Sequence, residues 1–336
     1  MIGPADETLR HPPSPLPDRW QENLFVIAWD GDRHAGLMVH LQRVPGRDYQ
    51  EARFVATTGG RTASAIVEGV YDASRVVAGV DYDVVEPFRR IRLGADLSAR
   101  DGVGPLGFVA THPPSAGDVR LGVDIELTSE LPAVDFAEGL RAMTAVMRSN
   151  ADGPQMGDQA HYEQGGRWSG TIATGDVEVA GSGLFVRDHS WGVRHEQNDF
   201  KAFWTATCVA AEDGSLMFAN AIGIPTGDRV AGIGAVADAD GVRFTTDVGA
   251  DYAPRAGVAS YDAAEIRYGA PIDLRFSATT QVHWPFYLPH SGPRRYDNNA
   301  ISAVTLPDGR AGFGVMEWAD VLTPDEAAEL DALVTG

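Results

Sequence analysis

Arg187-Asp188-His189-Ser190-Trp191-Gly192-Val193-Arg194 is the densest run of polar chemistry in the chain, and a strand's two-residue period organises it. Successive side chains of an extended strand point to opposite faces, so Arg187, His189 and Trp191 share one face while Asp188 and Ser190 share the other. A bulge near Gly192, the kind of residue that commonly marks one, would alter that division. Upstream lie His161-Tyr162-Glu163-Gln164 and Arg167-Trp168-Ser169-Gly170. Only hairpin turns separate these segments, and neighbouring antiparallel strands bring facing side chains to within about 5 Å. Glu163, Arg187, Asp188, His189 and Arg194 are therefore expected in one polar patch.

The same period recurs elsewhere. Leu37, Val39 and Leu41 alternate with Met38, His40 and Gln42. Leu121, Val123, Ile125 and Leu127 alternate with Arg120, Gly122, Asp124 and Glu126, and Ile272, Leu274, Phe276 and Ala278 alternate with Asp273, Arg275 and Ser277. These are half-buried strands. Thr174-Gly175-Asp176, Glu212-Asp213-Gly214, Ala239-Asp240-Gly241 and Pro307-Asp308-Gly309 supply turn residues between apolar runs. Many short strands without interspersed helices specify an all-β protein of barrels or sandwiches. One short C-terminal helix is expected from Thr323 to about Val334, opened by a Thr-x-x-Glu capping box with Pro324 in its first turn. The strand pattern lapses between Leu131 and Pro154. A short helix over Asp135 to Arg148, broken by Ser149 to Pro154, places the domain boundary there. The expected domains are residues 1–150 and 151–336, both β-rich, the second carrying Arg187 to Arg194.

Composition narrows the partners. With 336 residues, 44% of them hydrophobic, the chain is long enough to bury a substantial core. Its 47 acidic residues against 27 Lys plus Arg give a formal charge of -20, which repels nucleic acid and anionic membrane surfaces. No run approaches the roughly 20 apolar residues needed to cross a bilayer. The start MIGPADETLR has neither the basic nor the apolar region of a secretory signal, so a cytoplasmic protein is expected. The single cysteine, Cys208, excludes an intramolecular disulfide, and its alternating apolar surroundings make it a core residue. Phosphate-binding glycine loops, a Gly-x-Ser-x-Gly elbow and a His-Glu-x-x-His zinc sequence are absent, so no cofactor or metal is expected.

Two readings of the polar patch stand side by side. An Asp or Glu in an apolar barrel interior can act as a general acid, His can relay the proton, and a Trp ring face can steady a developing carbocation. These are the groups required to protonate an isolated C=C bond. Alternatively, Arg187, Asp188, His189 and Arg194 form a satisfied buried ion-pair network that holds strands in register. Residue types alone do not choose between them. A further stretch, His283-Trp284-Pro285-Phe286-Tyr287-Leu288-Pro289-His290, has the aromatic and proline composition of a stiff apolar lid or of a self-packed surface loop.

The combination of His161-Tyr162-Glu163-Gln164, Trp168-x-Gly170 and Gly183-x-x-x-Arg187-Asp188-His189-Ser190-Trp191-Gly192-Val193-Arg194 resembles a bacterial family. That family is related to the carotenoid hydratase hydroxyneurosporene synthase and, more distantly, to AttH, tocopherol cyclase and decalin-forming Diels-Alderase proteins. The resemblance is specific over residues 161–194. It is looser at Glu22 to Trp29 and at Gly312 to Trp318, and the later Tyr-x-Asp of the hydratases has no counterpart in Ser215 to Ile222. It implies two tandem calycin or lipocalin-like barrels and a pocket for an apolar, isoprenoid or polyketide ligand, with His189-Ser190-Trp191 matching a reactive His-x-Trp pair. On this reading Asp188, His189 and Glu163 carry catalysis, while Tyr162, Trp191, Arg194, Trp204, Trp284 and Tyr287 meet the substrate. The expected activity is cofactor-independent, acid-assisted hydration, cyclisation or isomerisation. The other expectation is a lipid or isoprenoid binder in which the charged run is structural.

Overall fold

The computed structural model describes residues 2–17, 19–102, 119–136, 159–193, 202–226, 229–254, 261–284, 286–288, 295–321, 323–325 and 328. The chain forms two compact units, one from residues 1–103, 109–137 and 157–195, the other from residues 104–108, 138–156 and 196–336. Both are antiparallel β structures.

The first unit contains β1 (Trp20–Asp30), β2 (Ala35–Val44), β3 (Tyr49–Thr58), β4 (Arg61–Gly69), β5 (Val80–Glu86), β6 (Arg90–Asp101), β7 (Val119–Thr128), β8 (Val134–Asp135), β9 (Gln159–Thr174) and β10 (Val177–Val193). The pairing runs β10-β1-β2-β3-β4-β6-β7-β9, and β10 also pairs with β9, so eight strands close on themselves. The narrowest joint is β4 with β6, which share only Ala63↔Asp101 and Ser64↔Arg100. An eight-stranded barrel has an interior that side chains can fill. Here the filling is apolar: Leu24, Val26 and Ala28 from β1, Leu37, Val39 and Leu41 from β2, Leu121, Val123, Ile125 and Leu127 from β7, with Trp168 and Phe185. The alternation in β2 and β7 is thus the one expected from the sequence.

Closure explains why the units divide after β10 and not near residue 150. β9 completes the barrel against β7, and β10 completes it against β1, so residues 157–195 belong with the first unit. The hairpin turns at Gly175, whose φ of 64° is the left-handed conformation that suits glycine. Within the sheet, Arg92 of β6 reaches Glu126 of β7 at 3.4 Å. The helix expected over residues 135–148 lies outside the described residues, apart from Asp135 and Phe136; Asp135 is in β8.

The second unit contains β11 (Ala202–Ala210), β12 (Leu216–Thr226), β13 (Arg229–Asp238), β14 (Gly241–Thr245), β15 (Val248–Pro254), β16 (Tyr261–Tyr268), β17 (Leu274–His283), β18 (Phe286–Leu288), β19 (Arg295–Thr305) and β20 (Ala311–Val321). Its order is β14-β13-β12-β11-β20-β19-β17-β16-β15, with β18 on β19. Phe203, Val209, Met217, Ile266, Tyr268, Phe276, Ala300 and Met316 join its core. Cys208 is fully buried. Of the expected C-terminal helix, Pro324, Asp325 and Ala328 are helical, and its other residues, apart from Thr323, lie outside the described set. Among the described residues no helix is long and apolar enough to cross a membrane.

Candidate functional site: two polar clusters on one strand pair

The β9–β10 register is unbroken from Thr174↔Val177 to Gln159↔Gly192. No bulge intervenes at Gly192, so strict alternation divides the polar residues between two faces. Phe185 and Trp168 lie in the barrel core, and Arg187, His189, Trp191, Tyr162 and Gln164 follow them at two-residue steps on that inner face. Asp188, Ser190, His161 and Glu163 occupy the outer face. The single patch expected from the sequence is therefore two clusters, and Arg194 lies outside the described residues.

The inner cluster is a continuous chain of hydrogen bonds. Arg187 donates to both carboxylate oxygens of Glu7, at 2.6 and 3.0 Å, and to Gln164 Oε1 at 2.6 Å. The Tyr162 hydroxyl donates to Glu7 Oε1 at 2.9 Å and stands 3.0 Å from His189 Nδ1. His189 Nε2 is 2.8 Å from Glu22 Oε1, and Arg43 donates to Glu22 Oε2. The Arg10 amide also donates to Glu22, at 2.7 Å, and the Phe88 amide donates to Glu7, at 3.0 Å. The Gln164 amide hydrogens are used as well, since Nε2 donates to the Phe88 and Leu131 carbonyls at 2.9 and 2.8 Å. Every one of these side chains is buried, with Glu7, Glu22, Arg43, Tyr162, Gln164, Arg187 and His189 at most 2% exposed.

Charge is balanced by two guanidiniums and two carboxylates, the pairing that makes buried charge tolerable. Burial works against the Glu7 carboxylate, but Arg187 outweighs it through charge and hydrogen bonding, with Tyr162 adding a bond, so the carboxyl pKa falls below its usual value. Burial raises the Tyr162 phenol well above its usual range, opposed by Arg187. Tyr162 has one hydroxyl proton for two neighbours, Glu7 Oε1 and His189 Nδ1, so it donates to one of them at a time. Each of the two aromatic rings has a cation near it: Arg187 lies 5.4 Å from the Tyr162 ring centroid and Arg10 lies 4.7 Å from that of Trp191. His189 is enclosed between Tyr162 and Glu22, with no exposed surface, as a structural lock would require.

The outer cluster differs. Asp188 stands directly opposite Glu163, and Ser190 directly opposite His161. His161 Nε2 is 3.1 Å from Glu163 Oε1, and the Glu163 side chain is fully buried. The His161 ring lies 5.6 Å from that of Phe136. Across the next strands the same face carries Phe25 opposite Asp188, His40 opposite Phe25 and Arg53 opposite His40. Arg53 is held by Glu51 at 2.7 and 3.1 Å. Asp188, Glu163, two imidazoles and two phenyl rings therefore share one face with the Arg53–Glu51 pair, a set able to deliver and accept protons beside apolar surface.

The remaining expected substrate contacts belong to the second unit. Trp204 sits in β11 opposite Ile222 and Glu317. Trp284 is fully buried, its amide donating to the Asn299 carbonyl at 2.8 Å. Tyr287 pairs with Tyr296 in the short ladder of β18 and β19. Sequence reasoning overlooked Glu7, Glu22 and Arg43. Glu22 continues the inward stripe of Leu24, Val26 and Ala28, and Arg43 continues that of Leu37, Val39 and Leu41, so a charge on an apolar stripe was the available signal. Glu7 precedes β1 in an irregular segment and carried no such signal.

Residues 3–322 match a family model described as a domain of unknown function, DUF7064. No curated protein matches the chain. Among solved structures, an AttH-like protein from Nitrosomonas europaea is similar with a TM-score of 0.61 at 15% identity, over 91% of this chain and 94% of that one. Kievitone hydratase from Nectria haematococca is similar with a TM-score of 0.53 at 10% identity, over 91% of this chain and 90% of that one. At these identities the likeness is one of fold.

Proposed function

The chain belongs to the DUF7064 family, and we propose that it is a cofactor-independent enzyme that hydrates, cyclises or isomerises an apolar unsaturated molecule with acid assistance. The observation that carries this reading is the cross-strand pair of Asp188 and Glu163, with His161 3.1 Å from Glu163, on the face turned away from the sealed lock. In hydration, one carboxyl group gives its proton to one carbon of a C=C bond and leaves a cation on the other. A water molecule adds its oxygen there and passes a proton to the second carboxylate, so the net change is one water added. His161 positions Glu163 and returns protons between turnovers, while the rings of Phe25 and Phe136 face the developing positive charge. Similarity in fold to a protein named kievitone hydratase supports this class of chemistry, and the isoprenoid or polyketide character of the substrate remains part of the proposal.

The test begins with mass spectrometry of apolar molecules carried by the purified protein. The identified compound is then incubated in ¹⁸O-labelled water with wild type, Asp188→Asn and Glu163→Gln. Label or rearranged product formed by wild type and lost in both variants supports the enzyme. Equal turnover in a folded Asp188→Asn protein removes the carboxyl pair from the chemistry. A second reading, a carrier of apolar ligands, is favoured by one observation: half of the charged run is the enclosed Arg187–Glu7 network. Retained ligand without conversion by any of the three proteins would establish the carrier.

A further inference from the structure

One fully buried side-chain amide in the second unit makes no hydrogen bond among the described residues. Asn299 is 0% exposed, and neither its Nδ2 nor its Oδ1 has a partner among the described residues. Its surroundings are set by the ladder. Asn299 stands opposite Glu317, and Glu317 stands opposite Trp204. Directly opposed residues on antiparallel strands share a face with their Cβ atoms about 5 Å apart, so carboxamide, carboxylate and indole form one row across β19, β20 and β11. The core of the unit takes the neighbours Ala300, Met316 and Phe203, which places the row on the opposite face.

A buried amide with both its donors and its acceptor unused is unfavourable, and an apolar residue of similar volume would avoid that cost. We propose that Asn299 is a ligand-binding residue that recognises the hydroxyl group of a small unsaturated ring compound of phenol type. A hydroxyl both donates and accepts, so it satisfies Oδ1 and Nδ2 together, as a carboxylate or an ammonium group does not. Glu317 adds an acceptor beside it, and the Trp204 indole offers a flat apolar surface to the ring. The site uses no residue of the Glu163–Asp188 pair, so its test is independent of the proposed reaction.

Matched probes differing by one hydroxyl, 1-naphthol and naphthalene, test it by equilibrium dialysis against the full chain. Wild type is expected to bind 1-naphthol at least about tenfold more tightly, the discrimination of a site built around a hydroxyl. Asn299→Leu is expected to bind both probes equally, and its ligand-free melting temperature should equal or exceed that of wild type. The melting comparison separates a binding role from a structural one, because a structural amide stabilises the ligand-free fold. The proposal is overturned if wild type shows no preference, if the preference survives in Asn299→Leu, or if that variant melts lower or fails to fold.

Discussion

Glu7 and Arg187, 180 positions apart in the chain, form a two-pronged ion pair inside the first barrel, with N–O distances of 2.6 and 3.0 Å. The Glu7 side chain is thereby part of the barrel's interior, although Asp6 and Thr8 beside it are not buried. Replacing Glu7 by Gln leaves a buried guanidinium facing a neutral amide, and removing one partner of a buried pair costs about 3–5 kcal/mol. Urea unfolding should show that loss as a lower midpoint with an unchanged slope. The Glu7→Met, Arg187→Met double variant should recover much of it, since an apolar pair of similar volume leaves no unpaired charge.

Acid should weaken the fold through the same residue. Burial raises the Glu7 pKa and Arg187 more than reverses that, leaving it below the value of 4.5 usual for the unfolded chain. A depressed carboxyl pKa contributes stability that is present above the unfolded value and is lost as pH falls through the folded one. Glu51 behaves alike, burial opposing its charge and Arg53 outweighing burial. Between pH 7 and about 3, wild type should therefore lose stability more steeply than Glu7→Gln. Parallel curves for the two proteins would remove Glu7 as a contributor.

Much of the barrel was legible in the sequence because its strands obey a period of two. Leu37 to Leu41 and Leu121 to Leu127 line the core as their alternation required. The domain boundary was less legible, because barrel closure depends on pairing between β1 and β10, a contact so distant in sequence that no local pattern reports it. The same non-locality hid Glu7. By contrast, the division of Arg187, His189 and Trp191 from Asp188 and Ser190 followed directly from alternation. What alternation did not supply was which face is the barrel interior, and that fact alone decides which half is enclosed.

Close strand approach beside the lock gives a sharper steric test. A Cβ on Gly183 would lie 2.1 Å from the Trp29 carbonyl oxygen and 3.0 Å from the Trp168 indole nitrogen. Backbone has to move to admit it, and overpacking of this kind costs about 1–3 kcal/mol. Gly183→Ala should melt well below wild type. Gly3→Ala, where a Cβ meets nothing within 4 Å, should melt with wild type, so an equal fall in both would mean that the ladder is not as tight as described.

Asp188 and His189 are adjacent in sequence yet should behave as different kinds of residue. His189→Ala removes the bridge between the Tyr162 hydroxyl and Glu22 and strands two buried groups, each worth about 1–3 kcal/mol when left unsatisfied. It should lower the melting temperature strongly, and any fall in turnover should track the fraction unfolded. Asp188→Asn keeps its shape on the outer face, so its melting temperature should stay close to that of wild type. If Asp188 transfers a proton, turnover should fall about 10²–10⁴-fold in the folded variant. Paired melting curves and turnover rates separate the two. A stable His189→Ala protein with lost turnover, beside a fully active Asp188→Asn protein, would move the chemistry to the inner face and reverse the assignment made from strand alternation.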